Sequence, residues 1–172
     1  MTVLDSDARP KPLTAQHDLV GFDCGKPALN DWLVRHAMQA QSSGSARTFV
    51  YTQREQVVGY FSLTVGQIDV LDTPARMRKG MGQYPLPVVI LARLAVSNQH
   101  QGLGIGTGLL RDAIVRTLLI AEQAGIRPLL TQPIDEQAEQ FYQRFGFEPS
   151  PLLDRRLYVL LLKNARRLLG AI

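Results

Sequence analysis

A glycine-rich segment, Gln101–Gly106, is the feature that most constrains how this chain folds. It follows an apolar run, Pro87–Val96, and precedes a long stretch with helical spacing, so the order is strand, glycine loop, helix. Backbone N–H groups at the N-terminus of a helix point outward and bind anions. Gly102, Gly104 and Gly106 have no Cβ atom, which lets a phosphate come close to the main chain. The segment therefore predicts a pyrophosphate-binding loop in an α/β protein.

Two common phosphate loops do not fit this segment. A Walker loop ends in Gly-Lys-Ser/Thr, and neither Gly106 nor Gly108 begins that triplet. A dinucleotide fingerprint needs Gly-x-Gly-x-x-Gly, but its third glycine falls on Thr107, Leu109 or Arg111, depending on the register. The pattern that does fit is Gln-x-x-Gly-x-Gly. On its own, this pattern leaves open a loop that only turns the chain.

The rest of the sequence alternates strand and helix patterns, which is typical of an α/β domain. One domain is expected over residues 1–172, with Met1–Lys11 as a flexible N-terminal arm. Asp135 is in position to cap a helix, and Asp69–Pro87 is an irregular, basic loop of functional length. We predict helices at Pro27–Gln41, Gly104–Ala124 and Asp135–Phe145, and strands at Arg47–Gln53, Val57–Gln67, Val88–Val96, Arg127–Pro133 and Leu157–Leu162.

Composition argues against several classes of protein. No apolar run approaches the ~20 residues of a membrane helix, and the N-terminus lacks the basic start and apolar core of a secretory signal. The single cysteine, Cys24, excludes an internal disulfide framework, and the three histidines are too widely spaced to suggest zinc. We therefore expect a cytoplasmic protein with no metal and no membrane association.

Positive charge is concentrated in one stretch of the chain. Pro74–Arg111 contains five basic residues and no acidic residue, whereas the whole chain has a net charge of +4. A basic stretch of this kind is typical of proteins that bind a polyanion such as RNA. Cofactor phosphates account for some of these charges, but Arg76, Arg78 and Lys79 lie far upstream of the glycine loop. The alternative is a solvated surface without a partner.

Several segments together resemble a known enzyme family. Gln101, Gly104 and Gly106 match the coenzyme A pyrophosphate loop of the GNAT N-acetyltransferase superfamily, and Glu139–Phe147 is similar to its second signature. The resemblance implies the GNAT acetyltransferase fold, a mixed central sheet flanked by helices, with acetyl-CoA as cosubstrate. Three further stretches narrow the resemblance to the tRNA-acetylating GNAT toxins of type II toxin–antitoxin pairs (TacT/AtaT type): Phe22–Leu33, Ser45–Val50 with Val58–Leu63, and Leu91–Val96.

This resemblance also implies a function and partners. The expected enzyme is a toxin that transfers acetyl from acetyl-CoA to the α-amino group of aminoacyl-tRNA and so blocks translation. A ribbon-helix-helix antitoxin and a homodimer are implied as well. One alternative is a GNAT N-acetyltransferase acting on a small-molecule amine or a protein N-terminus. Another is a non-enzymatic RNA-binding module with a vestigial cofactor site, against which the intact glycine loop and Tyr142 argue.

Tyr142 is the candidate catalytic residue. The resemblance implies that a tyrosine on this helix lies beside the sulfur of coenzyme A, where it returns a proton to the departing thiolate. The alternative is a core aromatic residue. If Phe141 and Phe145 form the buried stripe of the helix, Tyr142 points elsewhere, because neighbouring helical residues lie ~100° apart. No strong base is expected, because an α-amino group with a pKa of roughly 7.7–8.0 is partly neutral at cellular pH.

The cofactor-binding residues follow from the same resemblance. A backbone N–H within Leu94–Val96 is expected to hold the thioester carbonyl and its developing oxyanion. The full set of candidates is Leu94, Ala95, Val96, Gln101, Gly102, Leu103, Gly104, Ile105, Gly106 and Phe141.

Five basic residues are candidates for contact with tRNA phosphates: Arg76, Arg78, Lys79, Arg93 and Arg35. Arg93 stands out because it lies in an otherwise apolar strand, where a charge without a partner is costly. Two roles are open for Arg93: contact with an RNA phosphate, or an ion pair with a carboxylate such as Asp135. Arg35 is equally compatible with a solvated helix face. Trp32 is expected in the core, and Cys24 is expected to be a small buried residue.

Overall fold

The computed structural model describes residues 9–78, 85–126, 128–152 and 156–170. The chain divides into two compact units. The first consists of the residues up to Leu63 together with Arg93–Ala113, and the second of Thr64–Ala92 together with the residues from Ile114 onward. Each unit contains part of the sheet and its own cluster of buried apolar side chains.

A mixed sheet of seven strands is formed by the described residues. The strands are β1 (Lys11–Pro12), β2 (Arg47–Gln53), β3 (Gln56–Ile68), β4 (Leu86–Val96), β5 (Pro128–Thr131), β6 (Glu148–Pro149) and β7 (Tyr158–Leu161). Their hydrogen-bonded order is β1-β2-β3-β4-β5-β7-β6. Strands β4 and β5 are parallel, whereas the pairs β1–β2, β2–β3, β5–β7 and β6–β7 are antiparallel.

Five α-helices accompany the sheet within the described ranges: α1 (Pro27–Arg35), α2 (Ala37–Ser43), α3 (Ile105–Ala124), α4 (Glu136–Arg144) and α5 (Leu162–Leu169). Helix α3 connects β4 to its parallel neighbour β5, because a parallel pair needs a long crossover. The mixed sheet with its helices confirms the predicted α/β architecture.

In the first unit, helices pack on both faces of the sheet. Tyr60 and Ala95 belong to the buried cluster that includes side chains of α1 and α2. The preceding strand residue, Gly59, faces α3, since successive strand residues point to opposite faces. A Cβ atom on Gly59 would lie 3.1 Å from both Ile105 Cγ2 and Leu109 Cδ1. The glycine therefore allows the N-terminal half of α3 to pack closely on the sheet.

In the second unit, an apolar cluster covers the strands around β5. Its buried members are Met77, Leu86, Val88, Leu130, Leu157, Val159 and Leu161. All four residues of β5 and all four of β7 are buried. Thr131, the last residue of β5, is a polar member of this interior with 2% of its surface exposed.

Most predicted elements are present with small changes of boundary. Strand β2 has the predicted bounds, and β3, β4 and α3 differ from the prediction by one or two residues at an end. Asp135 caps α4 as predicted, because its carboxylate accepts a hydrogen bond from the Ala138 N–H. Three parts of the predictions, residues 1–8 of the N-terminal arm, residues 79–84 of the basic loop and Arg127 of a strand, lie outside the described residues.

Three segments differ from the predictions. The predicted helix Pro27–Gln41 is interrupted at His36, whose φ of −122° is not helical. Lys11, expected to end a flexible arm, belongs to β1 and pairs with Val50. Helix α5 was not predicted, because the apolar run of β7 continues directly into it and hides the change of periodicity.

We expect Gly59→Ala to destabilise the protein by about 1–2 kcal/mol, because the new methyl group crowds two buried side chains of α3. Gly66→Ala on the same strand is the matched control. Its Cβ would lie 2.8 Å from Ile90 Cδ1, the free end of a side chain that can rotate away. Urea unfolding measures both free energies. Equal losses in the two variants would contradict close packing of α3 at Gly59.

Candidate active site

The glycine loop after β4 needs glycine for its backbone conformation. Gly102 and Gly104 have φ angles of 77° and 84°, in the left-handed region that other residues rarely adopt. A Cβ atom at either position would meet nothing within 4 Å. The surface above both glycines is therefore open in this structure, and a ligand can approach the main chain.

The first turn of α3 completes the loop. The Gly108 N–H donates to the Gly104 carbonyl at 3.0 Å, which marks the start of the helical hydrogen-bond pattern. The N–H groups of Ile105, Gly106 and Thr107 come before that bond, where a helix has no acceptor of its own for them. Such N–H groups, at the positive end of the helix dipole, suit a pyrophosphate.

The Gln101 side chain ties the loop to the end of β4. Its amide Nε2 donates to the Val96 carbonyl at 3.0 Å and lies 3.4 Å from both the Cys24 carbonyl and Asn98 Oδ1. Gln101 was predicted as a cofactor-binding residue, and the structure directs its amide at acceptors of the protein itself. Its side chain thus shapes the loop.

The segment after Phe22 supports the same loop from the N-terminal part of the chain. One carboxylate oxygen of Asp23 accepts from the Gly25 N–H at 2.8 Å and from Asn30 Nδ2 at 3.0 Å. These two hydrogen bonds lower the pKa of Asp23. Asn30 Oδ1 accepts from the Cys24 N–H at 2.9 Å, and the Asn98 N–H donates to the Asp23 carbonyl at 2.8 Å. The Phe22–Leu33 motif therefore has a physical role in holding the loop.

The end of β4 offers backbone groups beside the loop. The Ser97 N–H donates to the Val58 carbonyl of β3. Because backbone direction alternates along a strand, the amides of Leu94 and Val96 face away from β3, and the Ala95 amide faces β3. The pairing that the structure describes between β4 and β5 covers Val89–Leu91. The N–H groups of Leu94 and Val96 are therefore the ones suited to hold a carbonyl oxygen, and Ala95 contributes a buried side chain instead.

Tyr142 lies on α4 in the second unit and is buried, with 5% of its surface exposed. Its ring packs on Phe147 at 5.3 Å and on Phe141 at 5.2 Å between centroids. The condition that Phe141 and Phe145 form the buried stripe of the helix is not met, since Phe141 is partly exposed and Tyr142 is buried beside Phe145. Tyr142 lies on the buried face of α4 and packs against Phe147, which directly precedes β6.

The Tyr142 hydroxyl has a defined hydrogen-bond partner. It is bonded to the Thr131 side chain, and Thr131 Oγ1 donates its own proton to the Leu91 carbonyl at 2.9 Å. Burial has the larger effect on the pKa of the phenol and raises it, whereas the hydrogen bond with Thr131 lowers it. Burial raises the pKa of Tyr142 to about 12. The phenol is consequently a protonated donor throughout the physiological pH range.

Three of the predicted RNA-binding cations have local partners. Arg76 forms an ion pair with Glu148, and Arg35 lies 3.9 Å from Asp31, with side chains 64% and 72% exposed respectively. Exposed pairs of this kind contribute little to stability, so both arginines are able to change partner. Arg78 instead donates to the Thr73 carbonyl at 3.1 Å and the Leu71 carbonyl at 3.3 Å, which braces its own loop. Lys79 lies outside the described residues.

Arg93 has an aromatic partner. Its guanidinium carbon lies 3.9 Å from the centre of the Trp32 ring, which stacks on Tyr60 with an interplanar angle of 12°. Tyr60 is fixed in turn by the edge of Phe22 and by donating to the Leu29 carbonyl at 2.7 Å. Asp135, proposed as a carboxylate partner for Arg93, caps α4. Trp32, predicted as core, is only partly buried.

Sequence reasoning missed four residues of this arrangement. Asn98 and Asn30 act through individual hydrogen bonds, two for each residue, that no periodicity reveals, although Asn30 lies within the Phe22–Leu33 motif. Thr131 gives no signal in the sequence beyond its place at the end of a strand. Trp32 was assigned to the core, and its contact with Arg93 was not foreseen.

Two other kinds of site find no support among the described residues. They contain no cluster of three or more histidine, cysteine or carboxylate side chains that could hold a metal ion. Cys24 is buried, and burial raises the pKa of its thiol, which makes it a poor nucleophile. In the same part of the chain, no helix is both long and apolar enough to cross a membrane.

The chain is similar to known acetyltransferases. A family model described as an acetyltransferase (GNAT) domain matches residues 44–149. A tRNA-acetylating toxin of Mycobacterium tuberculosis H37Rv is 38% identical over 161 residues, covering 94% of this chain and 96% of that protein. The solved structure of AtaT complexed with acetyl-methionyl-tRNAfMet has a TM-score of 0.87 at 28% identity, covering 94% of this chain and 99% of that one. A tyrosine-to-phenylalanine mutant of AtaT, bound to acetyl-CoA and to the C-terminus of the antitoxin AtaR, has a TM-score of 0.80 at 28% identity, covering 95% and 99%.

The loop geometry generates a paired prediction. Gly104→Ala forces an alanine into a left-handed conformation and should cost about 1 kcal/mol of stability, while raising the KM for acetyl-CoA. Gly108→Ala, one turn further along α3, meets nothing within 4 Å and should stabilise the protein by roughly 0.5–1 kcal/mol with an unchanged KM. Thermal unfolding and steady-state kinetics measure both effects. An unchanged KM in Gly104→Ala would contradict the loop as the pyrophosphate site.

Proposed function

Because the chain belongs to the GNAT acetyltransferase family, and within it to the tRNA-acetylating toxins, we propose that it transfers acetyl from acetyl-CoA to the α-amino group of aminoacyl-tRNA. The acetylated aminoacyl-tRNA then blocks translation. The 38% identity to a tRNA-acetylating toxin over 94% of the chain is the observation that carries this proposal. The glycine loop supports the proposal independently, because its backbone conformation and open surface suit a pyrophosphate.

We assign the coenzyme to the loop and the strand end. The N–H groups of Ile105, Gly106 and Thr107 would hold the pyrophosphate, with Gly102 and Gly104 leaving it room. The amides of Leu94 and Val96 would hold the thioester carbonyl and the negative charge that develops on it. Gln101 would act through the shape of the loop, as its hydrogen bond to Val96 suggests. Leu103, Ala95 and Phe141 remain cofactor-binding candidates from the family resemblance.

The acceptor amine needs little help to react. Acetyl-CoA supplies the acetyl group as a thioester. The neutral amine attacks the thioester carbon, a C–N bond forms, the C–S bond breaks, and one proton moves overall from nitrogen to sulfur. An α-amino group has a pKa of roughly 7.7–8.0, so a useful fraction is neutral at cellular pH without a dedicated base. Positioning of the amine and the thioester would then supply most of the catalysis.

Tyr142 is our candidate general acid for the departing sulfur. Its pKa of about 12 keeps it protonated, as an acid must be. An ordinary thiol has a pKa of about 8.5, so complete transfer from Tyr142 is uphill by roughly 3.5 units, or about 5 kcal/mol. A median kcat of about 10 s⁻¹ corresponds to a barrier of about 16 kcal/mol, which accommodates this cost. The amine proton, released to solvent, would restore the phenol.

The RNA surface and the partners complete the proposal. We assign tRNA phosphates to Arg76, Arg78, Lys79, Arg93 and Arg35. The first four lie in the acid-free stretch Pro74–Arg111, which supports their assignment. We further propose that the protein acts in the cytoplasm as a homodimer and is neutralised by a ribbon-helix-helix antitoxin. The AtaT complexes with a tRNA and with the C-terminus of the antitoxin AtaR support these partner classes.

The acceptor is tested with labelled acetyl-CoA. We expect label on aminoacyl-tRNA and none on the same tRNA after its amino acid has been removed. Labelling of both would reject the amino group as the acceptor. Labelling of small amines or a peptide N-terminus, with charged tRNA unlabelled, would favour the alternative acetyltransferase function.

Tyr142→Phe tests the acid. We expect kcat to fall by roughly 10²–10⁴-fold with little change in the KM for acetyl-CoA. Tyr158→Phe is a matched control, because it removes a phenol hydroxyl that accepts from Gln143 Nε2 at 3.1 Å, and it should leave kcat near the wild-type value. Growth arrest on expression in bacteria should follow the kinetics, with wild type and Tyr158→Phe toxic and Tyr142→Phe harmless.

The pH profile gives a second test of Tyr142. Because its raised pKa keeps the phenol protonated below about pH 12, the rate should rise as the amine loses its proton and then stay level up to pH 10. A descending limb between pH 8 and 10 that disappears in Tyr142→Phe would show that the acid titrates far below its expected value.

A further inference from the structure

Four side chains of the first unit form a continuous column that ends at Arg93. Phe22 packs edge-on against Tyr60, with ring centres 5.7 Å apart; Tyr60 stacks on Trp32, and the Arg93 guanidinium covers the Trp32 ring. Trp32 is thus covered by a cation and stacked on a second ring, so it is poorly placed to stack on a nucleic-acid base. Its observable role is to hold the guanidinium.

This column lies on the face of the sheet opposite helix α3. The Arg93 and Ala95 side chains share a face, because they are two residues apart on β4, and Ala95 packs into the cluster with α1 and α2. Helix α3, which follows the glycine loop, packs on the other face over Gly59. The Leu94 and Val96 amides are at the strand edge between the two faces. An acceptor that approaches these amides from the face opposite α3 would therefore pass Arg93.

The chemistry of Arg93 favours an anionic ligand. Its guanidinium is half-buried, and burial lowers its pKa, yet an arginine stays charged at neutral pH. Stacking on Trp32 uses the flat face and leaves the N–H donors at the edges of the plane. A cation–π contact offsets only part of the cost of burying a charge. A fork of N–H donors matches the two free oxygens of a phosphodiester.

We propose that Arg93 binds a phosphodiester at the acceptor end of the tRNA, and that Trp32 is the positioning residue that holds its guanidinium for this contact. The inference rests on the proposed function, because it assumes a tRNA acceptor. The proposal separates Arg93 from the other predicted cations. An aromatic ring holds Arg93 beside the strand end assigned to the thioester. Arg76 and Arg35 form exposed ion pairs instead, which assigns them to the periphery of the RNA surface.

Arg93→Gln is the first variant to measure. We expect kcat/KM for aminoacyl-tRNA to fall roughly ten- to a hundredfold, as for loss of a charge-assisted contact. The slope of log kcat/KM against log salt should become shallower by about one unit, as for loss of one phosphate contact. The KM for acetyl-CoA should not change. Arg54→Gln removes the same charge from the exposed β2–β3 turn and should leave all three quantities near wild type.

A phosphate-free acceptor separates the phosphate from the amino acid. An aminoacyl ester of adenosine carries the same reacting amine without any phosphodiester. Arg93→Gln should acetylate this compound as fast as the wild type does. An equal loss on the ester and on aminoacyl-tRNA would place Arg93 against the aminoacyl group and overturn the proposal. An unchanged salt slope for aminoacyl-tRNA in Arg93→Gln would overturn the proposal as well. This second criterion applies even if neither the wild type nor the variant acetylates the ester.

Trp32 variants test the positioning role. Trp32→Leu should lower kcat/KM for aminoacyl-tRNA roughly two- to thirtyfold, and Trp32→Phe should recover part of that loss because it keeps an aromatic face. In the Arg93→Gln background, Trp32→Leu should have little further effect on tRNA use. Additive losses, or a parallel rise in the KM for acetyl-CoA, would assign Trp32 to the fold alone. Failure of the wild type to acetylate any aminoacyl-tRNA would instead reject the proposed function.

Discussion

The hydrogen bond from the Gln101 amide to the Val96 carbonyl is the contact on which the candidate site depends. A loop with two left-handed glycines has many accessible conformations, and ordering it costs conformational entropy. In this protein, hydrogen bonds of Gln101, Asn98 and Asp23 offset that entropy loss, because they fix the loop to β4 and to the segment before α1. The N–H groups at the start of α3 are consequently oriented before a coenzyme arrives, which lowers the free-energy cost of binding.

The sequence was sufficient for the architecture and for the position of the loop, because both depend on periodicity and on glycine. The strand pattern of β2 and the apolar spacing of α3 predicted both elements, and the missing Cβ atoms of Gly102 and Gly104 predicted a loop that a ligand can approach. The sequence did not reveal the break at His36, which interrupts an otherwise helical spacing, or helix α5, because the apolar run of β7 continues directly into it. Sequence spacing shows which residues lie together on one face of a helix, but it does not show which face is buried.

The site residues show the same limit at the level of single atoms. Tyr142 could be singled out from its motif, whereas its bond to Thr131 links residues that no sequence pattern connects. A basic stretch could be recognised from composition, but the partners of Arg76, Arg78 and Arg93 are a carboxylate, two carbonyls and an indole ring, three different environments. Charge counting treats these arginines as equivalent, and their surroundings make them different.

The support of the loop by Asp23 and Asn30 has a consequence for how the protein is made. The Asn98 N–H that meets Asp23 is encoded far downstream of it, and the helix that presents the coenzyme-binding amides begins only at Ile105. A ribosome must therefore synthesise well over half of the chain before the parts of the coenzyme site can meet. Prematurely terminated chains that end before Ile105 would lack this site, so harmful activity would be confined to molecules that extend beyond the start of α3.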